Sequence, residues 1–201
     1  MNWIDVSLRQ YNDIKQIFLE PDYSEEDRII LLINILFGVD ALKLKTTELN
    51  GYVNQLKFLS TNPPKMKLRD KYRLGENWYI LKRNLKDFSV AQWIDFQNFL
   101  KNGSDTDNFA NLLSVFFIPE GETEYGEYDV ESVRQDINNH LSIADANSIA
   151  AFFLTYQKAL LIRFLLYTRK KTLKTSITRE QKKELKKQFR KLIWQTIFHG
   201  D

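Results

Sequence analysis

Apolar residues in this chain recur mostly at helical spacing, and small oxygen-bearing side chains stand just ahead of several of the runs. Ser7 and Gln10 have the spacing of a capping box, and Leu8, Tyr11, Ile14, Ile17 and Phe18 follow on one helical stripe until Pro21. Ser24 precedes Glu25, Glu26 and Asp27, three acids suited to the positive end of a helix. The stretch from Arg28 to Phe37 is apolar almost all round, which predicts a helix central to the core, and Gly38 is a natural stop. A third helix is expected from Thr47 to Leu59, burying Leu49, Tyr52, Val53, Leu56 and Leu59.

Asn62-Pro63-Pro64 breaks this rhythm. Met66, Leu68, Tyr72 and Leu74 then lead through Gly75-Glu76-Asn77 to Trp78-Tyr79-Ile80-Leu81, the pattern of one short β-hairpin within about residues 65–82. A lone two-stranded ribbon is marginal in water, so it must pack on a helix or pair with another chain. Ser89 with Gln92 opens a helix from Val90 to Leu100, with Trp93, Phe96, Phe99 and Leu100 on its inner side. Asp105 or Thr106 starts the next, expected to run through Ala110, Leu113, Val115, Phe116 and Phe117 to a stop at Pro119. Asp129 caps a short helix to about Leu141, and Ser142 caps the longest, from Ile143 to about Lys171. Phe152, Phe153 and Tyr156 form an aromatic stripe on it. Thr178 with Gln181 begins a terminal helix. The fold class expected is mainly α: a helical body over residues 1–172 with one hairpin, and a protruding basic amphipathic helix over 173–201.

Charge sharpens that division. From Arg163 to Asp201 there are twelve Lys or Arg against three acids, leaving seventeen against twenty-three in the first 162 residues. An acidic body thus carries a basic tail. Four Pro and seven Gly in 201 residues argue against a many-turned β-sandwich, and 43% hydrophobic content is ample for a core. Cysteine is absent, which removes disulfides and thiolate chemistry and fits a reducing compartment. The start of the chain lacks the basic and apolar regions of a signal peptide. The apolar stretches from Ile29 to Phe37 and Ile149 to Tyr167 are broken by polar residues, so no membrane span is expected.

In the tail, Leu185, Phe189, Leu192, Ile193 and Ile197 share one face, and Lys182, Lys183, Lys186, Lys187, Arg190 and Lys191 lie mostly on another. Trp194 and Phe198 add apolar area that favours burial. Four readings stand open: packing on its own body, docking in a partner groove, contact with nucleic-acid phosphates, or lying in a membrane interface. The loop from Glu120 to Glu131 holds six carboxylates, Glu120, Glu122, Glu124 and Glu127 among them, and no base. It reads as a solvated loop or a docking site for a basic partner; a neighbour's tail meeting it would build a homo-oligomer or ring. Strand alternation places one of Trp78 and Tyr79 outward. The two histidines, His140 and His199, have no metal-ligand spacing, and no phosphate-binding glycine loop or nucleophile motif is present. No catalytic, cofactor-binding or metal-ligating residues are therefore nominated, and no cofactor.

The order of these pieces resembles the tail-assembly chaperones and small virion assembly proteins of tailed bacteriophages. The resemblance runs through Leu8, Gln10 and Tyr11, the helix from Ile29 to Gly38, Gln55 to Leu59, the hairpin end Trp78-Tyr79-Ile80, and Ser89 to Phe96. It continues through Leu112 to Pro119, Tyr128-Asp129, and Leu141 to Ala146 running into Phe152-Phe153, so that it covers about residues 7–165. It implies a non-enzymatic helical protein without cofactor that binds other phage structural proteins in the host cytoplasm during assembly. The basic segment after Lys174 departs from the pattern. It suits a component retained in the virion, at a portal–tail junction or as packaged cargo, and keeps DNA binding open as the alternative.

Overall fold

Five of the expected caps form as the side chains dictate, at Ser7, Ser24, Ser89, Asp129 and Ser142. The Ser7 hydroxyl accepts the Gln10 N–H and the Gln10 amide oxygen accepts the Ser7 N–H, starting α1 (Leu8–Leu19). Ser24 and Asp27 make the same reciprocal pair at the start of α2 (Glu25–Phe37), which ends on Gly38 at φ +66°. Between Arg28 and Phe37 no residue is exposed, and Leu32, Ile33 and Leu36 are buried. α3 (Thr46–Gln55) is shorter than expected, because the chain tightens into a 3₁₀ turn over Leu56–Ser60. Of its stripe only Leu56 is buried; Leu49, Tyr52, Val53 and Leu59 are half-buried.

The computed structural model describes residues 1–101, 106–172 and 187–188. They divide into two compact units, Met1–Ile149 and Ala150–Asp201. The first is mostly helical with a small sheet. β1 (Lys71–Leu74) and β2 (Asn77–Leu81) form the expected hairpin, turning through Gly75 at φ +61° and Glu76. A third strand, β3 (Phe117–Pro119), pairs antiparallel with β2, Ile80 opposite Ile118, giving the order β1-β2-β3. The expectation of a helix running on to Phe117 is thereby corrected. After α4 (Val90–Lys101), α5 (Thr106–Ser114) ends at Ser114, and the following residues turn to satisfy the open edge of β2. Expected residues of the α4–α5 connection, Asn102, Gly103, Ser104 and Asp105, lie outside the described residues.

The sheet and helices close over an aromatic centre. Phe96 and Phe116 meet at 5.5 Å and Tyr72 and Phe117 at 5.4 Å, all four nearly free of solvent. Trp93 lies beside Phe96 as expected, their rings 5.6 Å apart, but its outer edge is left in solvent. α6 (Val130–His140) starts at Asp129, whose carboxylate accepts the Glu131 N–H, and packs against α1, α5, β1 and β3. α7 (Ile143–Thr172) starts at Ser142, and its buried Asp145 accepts from Arg69 Nη2 at 2.7 Å. The starts of α1 and α7 are tied together, since Leu8 N–H donates to the Leu141 carbonyl and Ile143 N–H to that of Val6.

α7 continues into the second unit. There Phe152 meets Phe153 edge-on at 5.1 Å and stacks along Tyr156 at 6.4 Å. Among the described residues, no helix is long and apolar enough to cross a membrane.

Candidate functional site

Strand alternation decides between Trp78 and Tyr79. Along β2, Tyr79 and Leu81 turn inward while Trp78 turns out: Tyr79 is 2% exposed and Trp78 48%. Tyr79 is thus buried rather than presented to solvent. Its hydroxyl donates to the Asp136 carboxylate at 2.6 Å, and Asn77 Nδ2 donates to the same oxygen at 2.8 Å. Both bonds fix β2 to α6. Burial, with the Asp136 carboxylate adding to it, holds the Tyr79 phenol well above its usual titration range. The face that carries Trp78 is therefore set on a strand anchored at its neighbours.

Trp78 opens onto a cleft of about 420 Å³ lined by Glu76 to Tyr79, Pro119, Glu120, Tyr128, Asp129, Ser132 and Val133. β3 delivers Glu120 because its N–H donates to the Trp78 carbonyl at 2.8 Å. Glu120 in turn pairs with Lys71 of β1. The wall beyond is the loop into α6. Its tyrosines hold it down: Tyr128 donates to the Phe117 carbonyl at 3.1 Å and Tyr125 to Asp95 at 2.9 Å. Burial and the nearby Glu122 charge push the Tyr128 phenol up to about 12. Tyr125 is raised by burial and by Asp95.

Two of the surfaces nominated from sequence thus converge. Trp78 and Glu120 share the cleft, while Glu122, Glu124 and Glu127 stand exposed along the tyrosine-pinned loop beside it. Asp129, one of the six loop carboxylates, also lines it, as does Glu76, which sequence reading passed over as a turn residue. The lining holds three carboxylates, one exposed indole and no cationic side chain. An indole face beside carboxylates suits a lysine or arginine side chain, by cation–π attraction and ion pairing together. Among the described residues no group of three or more His, Asp or Glu is placed to hold a metal ion.

The nominated tail lies largely elsewhere. Leu185, Phe189, Leu192, Ile193, Trp194 and Ile197 are outside the described residues, as are Lys182, Lys183, Lys186, Arg190 and Lys191 and the cap at Thr178 and Gln181. Lys187 is described: it is helical and exposed. No family model, curated protein or solved structure matches this chain.

Proposed function

We propose that this chain is a non-enzymatic bacteriophage assembly or virion protein that works by binding other structural proteins. It acts as a tail-assembly chaperone or stays at the portal–tail region or as packaged cargo. The observation that carries the reading is Trp78, a large side chain left in solvent on an otherwise well-anchored strand, above a carboxylate-lined cleft. Exposed tryptophans beside charged rims are the usual anchors of protein interfaces. The order of segments described above supplies the phage context.

The test is co-expression with the tail and portal proteins of the encoding phage, followed by quantitative binding of Trp78→Ala. Loss of at least tenfold in affinity with an unchanged thermal midpoint supports docking at the cleft; equal binding refutes it. The alternative, phosphate contact through the basic tail that includes Lys187, separates by salt. Phosphate binding falls by orders of magnitude over a few-fold salt increase, whereas an indole-anchored contact changes modestly.

A further inference from the structure

Away from the cleft, the first unit leaves two groups of large apolar side chains in water. One is the outer face of α4, where Val90, Trp93 and Ile94 are exposed at helical spacing. The other is the tip where α1 turns into α2: Phe18 is 54% exposed, Leu19 64% and Tyr23 40%. The tip is an ordered turn. Arg28 Nη2 donates to the Glu20 carbonyl at 3.0 Å across it, and every residue from Phe18 to Asp27 is exposed.

Charge distinguishes the two. Around the α4 face, Lys86, Asp87, Asp95 and Lys101 cancel, and Asp95 already accepts from Tyr125. From Gln16 to Arg28, five carboxylates accompany the three apolar side chains against one base, Arg28, which reaches across the turn to the Glu20 carbonyl. The surface is therefore apolar and strongly anionic at once. Its complement must be apolar and cationic at once.

The chain contains that complement. Residues 178–198 hold seven Lys or Arg against two acids, interleaved with apolar residues at helical spacing, Leu185, Phe189, Leu192 and Ile193 among them. The segment's net +5 is opposite in sign to the tip's net −4. The Trp78 cleft fits it less well: it offers one exposed large apolar side chain, its Glu120 is paired with Lys71, and its Asp129 caps α6. We propose that the α1–α2 tip is the docking surface for segment 178–198 of a second copy of this chain. Such a contact joins two different surfaces, so it either closes reciprocally into a two-fold dimer or propagates into a ring or a chain of subunits. It is independent of what the Trp78 cleft binds.

Sedimentation velocity of the full chain over a wide concentration range tests this. Mass should rise above that of the monomer as concentration increases. Phe18→Asp with Leu19→Asp should move that rise at least tenfold higher in concentration. Glu20→Lys with Asp22→Lys is a second route; at Glu20, the C-cap of α1, the helix dipole favours the positive charge. Lys183→Glu with Lys187→Glu should weaken association likewise, and combining the two charge reversals should restore it. The proposal is overturned by a full chain that stays monomeric throughout, by either tip variant associating like the parent while folded, or by a combined reversal that recovers nothing.

Discussion

Gln92 donates from its side-chain Nε2 to the Val115 carbonyl at 3.1 Å, across 23 positions of sequence, with no solvent reaching it. The same amide's oxygen accepts the Ser89 N–H and closes the cap of α4. Gln10 does likewise at α1, taking the Ser7 N–H and giving a hydrogen to the Ile35 carbonyl at 3.0 Å. In each case one amide closes a helix start with its oxygen and staples a distant backbone with its nitrogen. Glutamate, which serves equally well in a capping box, lacks the donor for the second bond.

Gln92→Glu should therefore cost more than a cap substitution does. It sets a carboxylate against a carbonyl oxygen in the buried interior, so a loss of about 3 kcal/mol or more is expected. Gln92→Ala should lose about 2 kcal/mol through the open cap and the orphaned Val115 carbonyl. Gln10→Glu, on a half-buried side chain, should lose roughly 1 kcal/mol. Urea unfolding of the three variants gives the ranking; a Gln92→Glu as stable as the parent would remove the staple from this account.

Gly75 sits at φ +61°, and a Cβ built there would meet His140 Nε2 at 3.0 Å. Gly75→Ala therefore combines a left-handed backbone with a close contact against α6. About 1–2 kcal/mol is expected from the backbone alone, and a further share from the imidazole. His140→Ala removes only the second. In that background Gly75→Ala should be milder but still unfavourable, and a thermodynamic cycle of unfolding free energies separates the two causes. Equal penalties in both backgrounds would leave the histidine contact without effect.

Much of the helical frame was legible because its starts are written in single side chains. Ser7, Ser24, Asp129 and Ser142 each stand one residue ahead of an observed helix, and Gly38 ends one. β3 was not legible. Val115 to Ile118 is a short apolar run, which periodicity alone assigns to helix or strand equally. What decides it is the unpaired edge of β2, more than thirty positions upstream. Exposure was hidden for a similar reason: Phe18 continues the α1 stripe and Trp93 that of α4, yet each leaves much of its ring in solvent, Trp93 while packing one side on Phe96. The cleft was half legible. Trp78 and Glu120 stood out by type and position, while Glu76 and Asp129 join them only once α6 lies against the hairpin.

Neighbouring positions on β2 should respond oppositely to substitution. Trp78→Ala removes an exposed ring and should change stability by no more than about 0.5 kcal/mol. Tyr79→Phe keeps the buried ring but takes the hydrogen from Asp136, a bond to a charged acceptor worth about 1.5 kcal/mol. Chemical denaturation of the pair checks the alternation directly. A Trp78→Ala that unfolds as readily as Tyr79→Phe would mean that the indole is structural rather than presented.

Alkaline pH should loosen the wall of the cleft. Burial first, and carboxylate neighbours second, favour the neutral phenol at Tyr79, Tyr125 and Tyr128 in the folded chain. In the unfolded chain the same phenols ionise near about pH 10. Above that point the unfolded chain binds fewer protons than the folded one, so stability falls as pH rises. Each contribution is complete below about pH 10; for Tyr128 it is lost across the window up to about 12. Tyr125→Phe removes one such group, and its unfolding free energy should decline less steeply than the parent's between about pH 9.5 and 11.5. Lysine deprotonation affects parent and variant alike, so the difference between the two curves isolates the phenol. Parallel curves would mean that Tyr125 ionises as readily in the folded chain as in the unfolded one, and that its hydrogen bond to Asp95 does not hold the loop.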